Sequence, residues 1–318
     1  MLYLGIDLGG TNIKVGLVTA GGEVVRTVSA PTDLPRSAEE VCGDMVRLCR
    51  EVLDDAGETA AAVGVGCPGT VDGESGRVVY SNNLRWVDFP LRDYLSARLE
   101  LPVTIGNDAN VAAYGEAAAG CARGAESAVI LTLGTGVGGG VILGGRLLTG
   151  FTGAASELGH MVTADGGEPC TCGRKGCFET CASATALIRM TREAMAEHPE
   201  SLLHTAALLD GGVSGRTAFD AAELGDETAG AVVRRYEHGL AVGIANIINI
   251  FFPEVVGLSG GVANQGEKLL VPLRAEVEPM VFGHAYAKKK TRLVGCTLGY
   301  RAGIIGGAML ARQALAED

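Results

Sequence analysis

Four side chains that bind metal ions lie within a short stretch of the sequence. His160, Cys170, Cys172 and Cys177 follow one another with the spacing His-x9-Cys-x-Cys-x4-Cys. Three thiolates and one imidazole are a common ligand set for a closed tetrahedral zinc site. A chance grouping among the nine cysteines and a redox pair are the alternatives, but the Cys-x-x-Cys spacing of redox pairs is absent. Because the protein fills all four positions, the sequence predicts a structural zinc ion.

A second group of residues, near the N-terminus, could hold phosphate and magnesium. The segment Asp7-Leu8-Gly9-Gly10-Thr11 places a carboxylate at the end of an apolar strand, beside two glycines. Glycine lets backbone N–H groups approach phosphate oxygens, and Thr11 and Lys14 add a hydroxyl and a cation. Asp7 could hold Mg²⁺ through water. An ordinary glycine hairpin with an Asp-capped turn explains the segment equally well on its own.

Two further glycine segments occur in the second half of the chain. Gly134, Gly136 and Gly138 belong to a seven-residue run in which five residues are glycine and Thr135 is polar. Such a run is costly inside a strand, so we expect a close approach of a ligand to the backbone. No helix follows this run and no P-loop pattern is present, so neither standard nucleotide motif is supported. Gly261, after a strand predicted at 254–258, could lie against a nucleoside.

Asn107-Asp108 ends a strand predicted at 102–106 and precedes a predicted helix. Asp108 could cap that helix, and taken alone the position favours a cap. It could instead be a general base that accepts a proton from a sugar hydroxyl, with Asn107 holding a neighbouring hydroxyl. Phosphoryl transfer requires mainly positioning, charge neutralisation and one aligned proton acceptor.

The predicted elements alternate between strands and helices, which indicates an α/β fold. The patterns predict the following elements: strands at 2–7, 12–18, 23–29, 61–66, 102–106, 127–133, 138–143 and 254–258, and helices at 37–54, 90–99, 183–196, 227–250 and from 301. The hairpin around Asp7–Thr11 and the hairpin around Leu133–Gly140 use the same turn chemistry. We interpret this as an internal duplication, with convergent turns as the alternative.

Composition excludes several classes of protein. The chain has 318 residues, 47% hydrophobic, and carries a net charge of −11. Lys288-Lys289-Lys290 is its one dense basic cluster, so the chain is a poor candidate for nucleic-acid binding. The longest apolar stretch is broken by Asn246 and Asn249, which argues against a membrane span. We expect no signal peptide and a cytoplasmic protein, because Met1 leads directly into a strand and the cysteines do not suggest disulfides.

The order and spacing of these motifs resemble those of the ROK family of bacterial sugar kinases, repressors and related proteins. The motifs that carry the resemblance are Asp7–Thr11, Asn107-Asp108, Leu133–Gly140, Glu157-x-x-His160, Cys170–Glu179 and Gly260-Gly261. The resemblance covers essentially the whole chain and is strongest to the ATP-dependent glucokinases. It implies a two-domain, actin-like (ribonuclease-H-like) ATPase fold with an interdomain cleft. One departure is that Ala154-Ala155-Ser156 precedes Glu157, where family members often have glycine beside the glutamate.

The resemblance also implies roles for individual residues. Asp108 would be the base for the sugar 6-hydroxyl. The sugar would bind to Gly69, Asn107, Asp108, Glu157, His160 and Glu179. ATP and Mg²⁺ would bind to Asp7, Gly9, Gly10, Thr11, Lys14, Gly134, Thr135, Gly136, Gly138 and Gly261. His160 would both ligate zinc and contact the sugar.

The resemblance leaves several alternatives open. The sugar could be glucose, fructose, N-acetylmannosamine or N-acetylglucosamine, and the donor could be ATP, ADP or polyphosphate. A non-catalytic sugar sensor is less consistent with the retained Asp108, and a DNA-binding repressor would need a winged helix ahead of Asp7. The predicted domains are residues 1–109 with a C-terminal helix at 300–318, and residues 110–299 with the zinc loop. A homodimer or homotetramer is expected.

Overall fold

The computed structural model describes residues 1–317, which form two compact units. The first unit contains Met1–Ala128, Gly140–Ser156 and the segment from Cys296 onward, and the second contains Val129–Gly139 and Glu157–Gly295. The domain boundaries predicted from the sequence, at residues 109 and 299, remain predictions. In the described residues, the strands are β1 (Leu2–Leu8), β2 (Asn12–Thr19), β3 (Val24–Pro31), β4 (Val63–Cys67), β5 (Thr70–Asp72), β6 (Arg77–Ser81), β7 (Trp86–Phe89), β8 (Val103–Asn107), β9 (Ala128–Leu133), β10 (Val137–Leu143), β11 (Arg146–Leu147), β12 (Val255–Ser259) and β13 (Arg292–Gly295).

In the first unit helices pack against the strands, and in the second unit several helices pack against one another. The α-helices are α1 (Ala38–Ala56), α2 (Leu91–Leu99), α3 (Asp108–Ala119), α4 (Glu179–Ala182), α5 (Ala184–Glu197), α6 (Leu203–Leu209), α7 (Thr217–Glu223), α8 (Glu227–Phe251), α9 (Glu267–Met280) and α10 (Ala302–Glu317). Helix α1 shows why such segments are helical. Ser37 and Glu40 form a reciprocal capping box at its start, and Gly57 ends it in a left-handed conformation. Its apolar residues face the core of the first unit.

The two five-stranded sheets have the same strand order. The first runs β3-β2-β1-β4-β8 and the second runs β11-β10-β9-β12-β13. When the strands are numbered in chain order within each sheet, both sheets read third, second, first, fourth, fifth. Each sheet has an antiparallel pair at one edge and a parallel pair at the other. The antiparallel pairs are β2 with β3 and β10 with β11, and the parallel pairs are β4 with β8 and β12 with β13. This common order supports an internal duplication.

Helix α10 packs against β1, β4 and α3 in the first unit. The contact is very close, because a methyl group added at Gly5 would overlap the carbonyl of Ile304, and one at Gly64 would overlap the carbonyl of Gly307. Several of the many glycines of the chain thus serve helix–sheet packing and do not face a ligand.

Several elements were not predicted from the sequence. These are the three-stranded sheet β5-β6-β7, helices α4, α6, α7 and α9, and the strands β11 and β13. Helix α9 contains Pro272 and Pro279, which are unfavourable in the interior of a helix and hide its pattern. The small sheet is built of short strands with exposed Val79 and Val87, so it lacks the alternation of buried and exposed residues.

Candidate active site

The predicted phosphate turn of the first unit follows directly from β1. Lys14, on the returning strand β2, donates to Asp7 with its Nζ 2.9 Å from Oδ2. The N–H of Gly9 donates to the carbonyl of Asn12 at 2.9 Å, which closes the turn. Gly10 and Thr11 are exposed at its tip. The turn therefore presents a carboxylate, an ammonium group and exposed backbone close together, and these are groups that can bind Mg²⁺ and phosphate.

Thr32 is a buried residue that the sequence did not indicate. Its N–H donates to the carbonyl of Thr11 at 2.8 Å, and its Oγ1 donates to the carbonyl of Gly9 at 2.7 Å. Both sides of the turn are thereby fixed to the segment that follows β3. A threonine in a polar loop carries no distinctive sequence signal for this role.

The helix cap at the end of β8 is Asn107, which corrects the interpretation of Asp108 as the cap. The Oδ1 atom of Asn107 accepts from the N–H groups of Ala109 and Asn110 at 3.0 and 3.1 Å. Its Nδ2 donates to the carbonyl of Gly69 at 3.0 Å. Both acceptor positions of the amide oxygen are thus used, so Asn107 can offer a sugar only its remaining amide hydrogen.

Asp108 is the first residue of α3 and is half-buried. The N–H of Ala109 donates to its Oδ1 at 2.9 Å. Burial raises the pKa of the Cys67 thiol well above its ordinary value, and the charge of Asp108 is a further cause. Cys67 pairs with Asn107 across β4 and β8, so the carboxylate lies at the carboxyl edge of the parallel strands. In open α/β sheets, this edge is where ligands bind.

Gly69 lies at the same edge and has a conformation that only glycine adopts readily. Its φ is 111°, and a methyl group there would overlap the carbonyl of Tyr80. Its own carbonyl holds the amide of Asn107. The first unit therefore brings Gly69, Asn107 and Asp108 together beside the ends of β4 and β8.

In the second unit, the four predicted metal ligands converge. The ligand atoms of His160, Cys170, Cys172 and Cys177 all lie within 4.8 Å of one another. The Cys170 Sγ is 3.6 Å from Nδ1 of His160, and the Cys172 and Cys177 sulfurs are also 3.6 Å apart. Such a set of three thiols and an imidazole fits a tetrahedral zinc ion.

Backbone hydrogen bonds shape this metal loop. The N–H of Cys170 donates to the carbonyl of Arg174 at 2.8 Å, and the N–H of Gly173 donates to the carbonyl of Cys170 at 3.0 Å. Arg174 also donates to the carbonyl of His160. The backbone N–H of Arg174 is the main cause that lowers the pKa of the exposed Cys172 thiol to about 6, whereas burial raises the pKa of Cys177 to about 11.

Glu179, the first residue of α4, connects the metal loop to the glycine turn between β9 and β10. Its Oε2 accepts from the N–H of Val137 at 3.0 Å, and its Oε1 lies 3.8 Å from the Cys170 sulfur. A methyl group at Gly136 would overlap the same Oε2. Glycine is therefore needed here for the approach of a carboxylate, a cause that the sequence did not reveal.

The remainder of this turn is anchored to the start of α5. The carbonyl of Gly134 accepts from the N–H of Ala184 at 2.8 Å, and the carbonyl of Thr135 accepts from Oγ1 of Thr185 at 2.7 Å. When the carbonyl groups of a turn are hydrogen-bonded to a helix on one side, its N–H groups can point to the opposite side, toward an anion. Gly138 lies within β10.

The residues around Glu157 form a tight bend. Glu157 is exposed and precedes a single 3₁₀ turn, Leu158–His160, and a methyl group at Gly159 would overlap the carbonyl of Val137. Ser156 has φ of 69°, the left-handed region that favours glycine. This is the region where the resemblance leads one to expect glycine. Its hydroxyl donates to the carbonyl of Leu148 at 3.2 Å.

The third glycine segment follows β12. Gly260 has φ of 91° and lies against the backbone of Leu133, at the end of β9. Gly261 begins a 3₁₀ turn, Val262–Gln265, and has no described atom within 4 Å of the position where a Cβ would lie. Bare backbone of this kind leaves room for a flat ligand.

Comparison with known proteins tests the resemblance along the whole chain. The model of the ROK family matches residues 3–314. The chain belongs to the ROK family. A glucokinase of Thermotoga maritima is 39% identical over 311 residues, which cover 98% of this chain and 97% of that protein. The resemblance inferred from the motifs is therefore confirmed.

Solved structures of ROK proteins have the same fold. A ROK family glucokinase from Streptomyces griseus, in complex with glucose and AMPPNP, aligns with a TM-score of 0.79 and 34% identity, over 98% of this chain and all of that chain. A ROK hexokinase from Thermus thermophilus aligns with a TM-score of 0.85 and 32% identity, over the full length of both chains. The predicted α/β, actin-like two-domain fold class is confirmed. Among residues 1–317, no helix combines the length and apolarity needed to cross a bilayer.

Proposed function

We propose that this protein is an ATP-dependent glucokinase that transfers the γ-phosphoryl group to the 6-hydroxyl of glucose. The observation that carries the proposal is the full-length match to ROK glucokinases, one of which was solved with glucose and AMPPNP. The edge of the parallel strands supports it, because a half-buried carboxylate, Asp108, lies there beside a fixed amide, Asn107. Phosphoryl transfer needs one aligned proton acceptor of this kind.

In this proposal, Asp108 accepts the proton of the attacking hydroxyl. Asn107 holds the start of α3 and the Gly69 carbonyl in place, and donates its remaining amide hydrogen to the sugar. The carboxylates of Glu157 and Glu179 and the imidazole of His160 accept or donate hydrogen bonds to other sugar hydroxyls. Carboxylates and imidazoles are suited to fix the orientation of a polyhydroxylated ring.

The phosphates are proposed to bind the two glycine turns. Mg²⁺ would be held by Asp7 through water and would neutralise charge on the transferred phosphoryl group. The backbone of Gly9 and Gly10, with Thr11 and Lys14, would contact phosphate oxygens. The second turn would supply Gly134, Thr135, Gly136 and Gly138, and Gly261 would lie by the adenosine.

The metal loop is proposed to hold one structural zinc ion. The donor set fits, because its four ligand atoms converge within 4.8 Å. Zinc would fasten the loop that carries His160 and precedes Glu179, and would leave one imidazole nitrogen for hydrogen bonding. The chemical step would then be performed by the side chains and Mg·ATP.

We further propose a cytoplasmic homodimer or homotetramer. Three aromatic side chains of the second unit, Phe252, Phe282 and Tyr286, are exposed, and exposed apolar groups favour self-association. Light scattering on the purified protein and on the Phe282→Ser variant tests this. A monomer at every concentration would contradict it.

The decisive experiment is a coupled assay of ADP release with Mg·ATP and a panel of sugars. We expect turnover with glucose to exceed turnover with fructose, N-acetylmannosamine and N-acetylglucosamine, and the product to be oxidised by glucose-6-phosphate dehydrogenase. The same assay with ADP or polyphosphate in place of ATP, followed by product detection, tests the donor. Turnover of another sugar alone would replace glucose in the proposal, and no turnover of any hexose would overturn it.

A further inference from the structure

Two cysteines outside the metal loop lie in contact, although 175 positions separate them in the sequence. The Sγ atom of Cys121 is 3.8 Å from the Sγ atom of Cys296. This is the contact distance of two thiols, and a bond would require the sulfurs to approach to about 2.05 Å. Both residues are partly accessible to solvent.

A buried carboxylate fixes the backbone on both sides of this contact. Glu116 is 1% exposed, and its Oε2 accepts from the N–H of Cys121 at 2.9 Å. The same carboxylate accepts from the N–H of Thr297 at 3.1 Å and from that of Leu298 at 2.8 Å. One side chain thereby holds the segment after α3 and the segment before α10. The folded chain therefore maintains the two thiols in proximity, without the entropic cost of closing so long a loop.

Glu116, Cys121 and Cys296 also lie within 4.8 Å of one another and resemble an incomplete metal site. Three backbone N–H groups already bond the two carboxylate oxygens, however. A carboxylate has about four acceptor positions, so little of it remains for a cation. The arrangement is better suited to joining the two sulfurs than to ligating a metal.

We propose that Cys121 and Cys296 form a reversible disulfide when the protein meets a disulfide oxidant such as oxidised glutathione. The Cys121 thiolate attacks one glutathione sulfur, which gives a mixed disulfide and releases one glutathione thiolate. Cys296 then loses its proton and attacks the Cys121 sulfur, which releases the second glutathione. Two protein thiols lose two electrons and two protons, and one glutathione disulfide becomes two thiols.

The position of the pair in the chain gives this bond a structural effect. Cys296 follows β13 directly and is the residue at which the chain returns to the first unit. Cys121 lies in the connection between α3 and β9, just before the chain leaves that unit at Val129. The disulfide would covalently join these two connections, so the oxidised protein resists unfolding more than the reduced protein does.

The test is to equilibrate the native protein in glutathione buffers of increasing oxidised fraction, block free thiols, and map linked peptides by mass spectrometry. We expect a Cys121–Cys296 peptide that dithiothreitol removes. The melting temperature should rise by about 4–10 °C on oxidation. Cys121→Ser and Cys296→Ser should each abolish both effects. Cys181→Ser should retain them, because the Cys181 sulfur bonds to the carbonyl of Phe178 and not to either cysteine of the pair.

Zinc content measured in the same samples separates this reaction from oxidation of the metal loop. We expect the linked peptide to appear while zinc content is unchanged. Absence of the linked peptide at the most oxidising ratio, or its formation only in denaturant, would overturn the proposal. A linked peptide with no rise in melting temperature would overturn the proposed stabilisation. None of these outcomes depends on which sugar, if any, is phosphorylated.

Discussion

The carboxylate of Glu179 accepts a hydrogen bond from the backbone N–H of Val137, with 3.0 Å between Oε2 and the nitrogen. The glycine turn that precedes Val137 is thereby tied to the loop that carries the cysteines. The resemblance assigns Glu179 to the sugar, and this bond suggests a second role, at the proposed phosphate site. A single side chain can therefore couple the two halves of the proposed reaction.

Substitution of Glu179 should separate these roles. Glutamine retains an oxygen that can accept from Val137, but alanine removes it. We expect Glu179→Ala to raise the KM for ATP by about ten- to a hundredfold, the range for loss of a hydrogen bond to a charged group. Glu179→Gln should change that KM by less than about threefold. Steady-state kinetics with Glu168→Ala as the control checks this, and equal KM values for ATP in both Glu179 variants would contradict the second role.

Asp108→Asn should retain the shape of the side chain and remove its basicity. We expect kcat to fall by about 10²–10⁴, the usual contribution of a general base, with little change in glucose binding measured by calorimetry. Asp93→Asn is a matched control, because Asp93 also lies in the first turn of a helix of the first unit. Near-normal kcat in Asp108→Asn would remove this residue from the role of base.

Cys172→Ser should release the proposed zinc ion. Loss of one thiolate weakens a four-ligand site, and the loop loses the folding energy that the metal supplies. We expect metal analysis to find zinc far below one ion per chain, with lower activity and a lower melting temperature. Cys181→Ser is the control, because the Cys181 sulfur bonds to the carbonyl of Phe178 and lies outside the ligand set. Full zinc retention in Cys172→Ser would contradict the assigned site.

Ser156 should tolerate glycine better than a branched residue. Its φ of 69° is unfavourable for side chains, so glycine relieves strain while it loses the hydrogen bond to Leu148 and adds entropy to the unfolded chain. We expect Ser156→Gly to change the free energy of unfolding by less than about 1 kcal/mol, and Ser156→Val to lower it by about 1–3 kcal/mol. Urea unfolding compares the two, with Ser29→Val in strand β3 as the control for valine.

Glu237 should make stability depend on pH. This α8 residue is 6% exposed, and burial, followed by the charge of Glu276 on α9, raises the pKa of its carboxyl to about 7, against an opposing effect of Arg234. The folded state therefore binds the proton more tightly than the unfolded state. The resulting stabilisation is fully present below about pH 4.5 and is lost as the pH rises through about 7.

Replacing this carboxyl by an amide should flatten the profile. We expect Glu237→Gln to be more stable than the parent above pH 7 by on the order of 1–3 kcal/mol, and to differ little near pH 5. His238, whose Nδ1 lies 2.6 Å from Oε1 of Glu276, is present in both proteins. Urea unfolding at several pH values, with the exposed Glu197→Gln as the control, gives the comparison. Parallel profiles for parent and variant would contradict the role of Glu237.

The sequence was most informative where neighbours in the chain are also neighbours in space. The hairpin β1–β2 was predicted to within a residue at each end, and the four metal ligands were grouped from their spacing alone. The bond between Glu179 and Val137 joins residues 42 positions apart, and no local pattern marks it. Likewise, both Asn107 and Asp108 suit a helix cap, and only the structure shows that Asn107 is the cap.

The packing of α10 has a consequence for synthesis on the ribosome. Strand β1 is translated well before the helix that covers it, which comes from residues 302–317. The first unit cannot bury that side of its sheet until residues 302–317 have been translated, whereas the second unit has all of its residues by Gly295. The nascent chain therefore carries one uncovered apolar face of this sheet until α10 has been translated, and exposed apolar surface of this kind favours chaperone binding and aggregation.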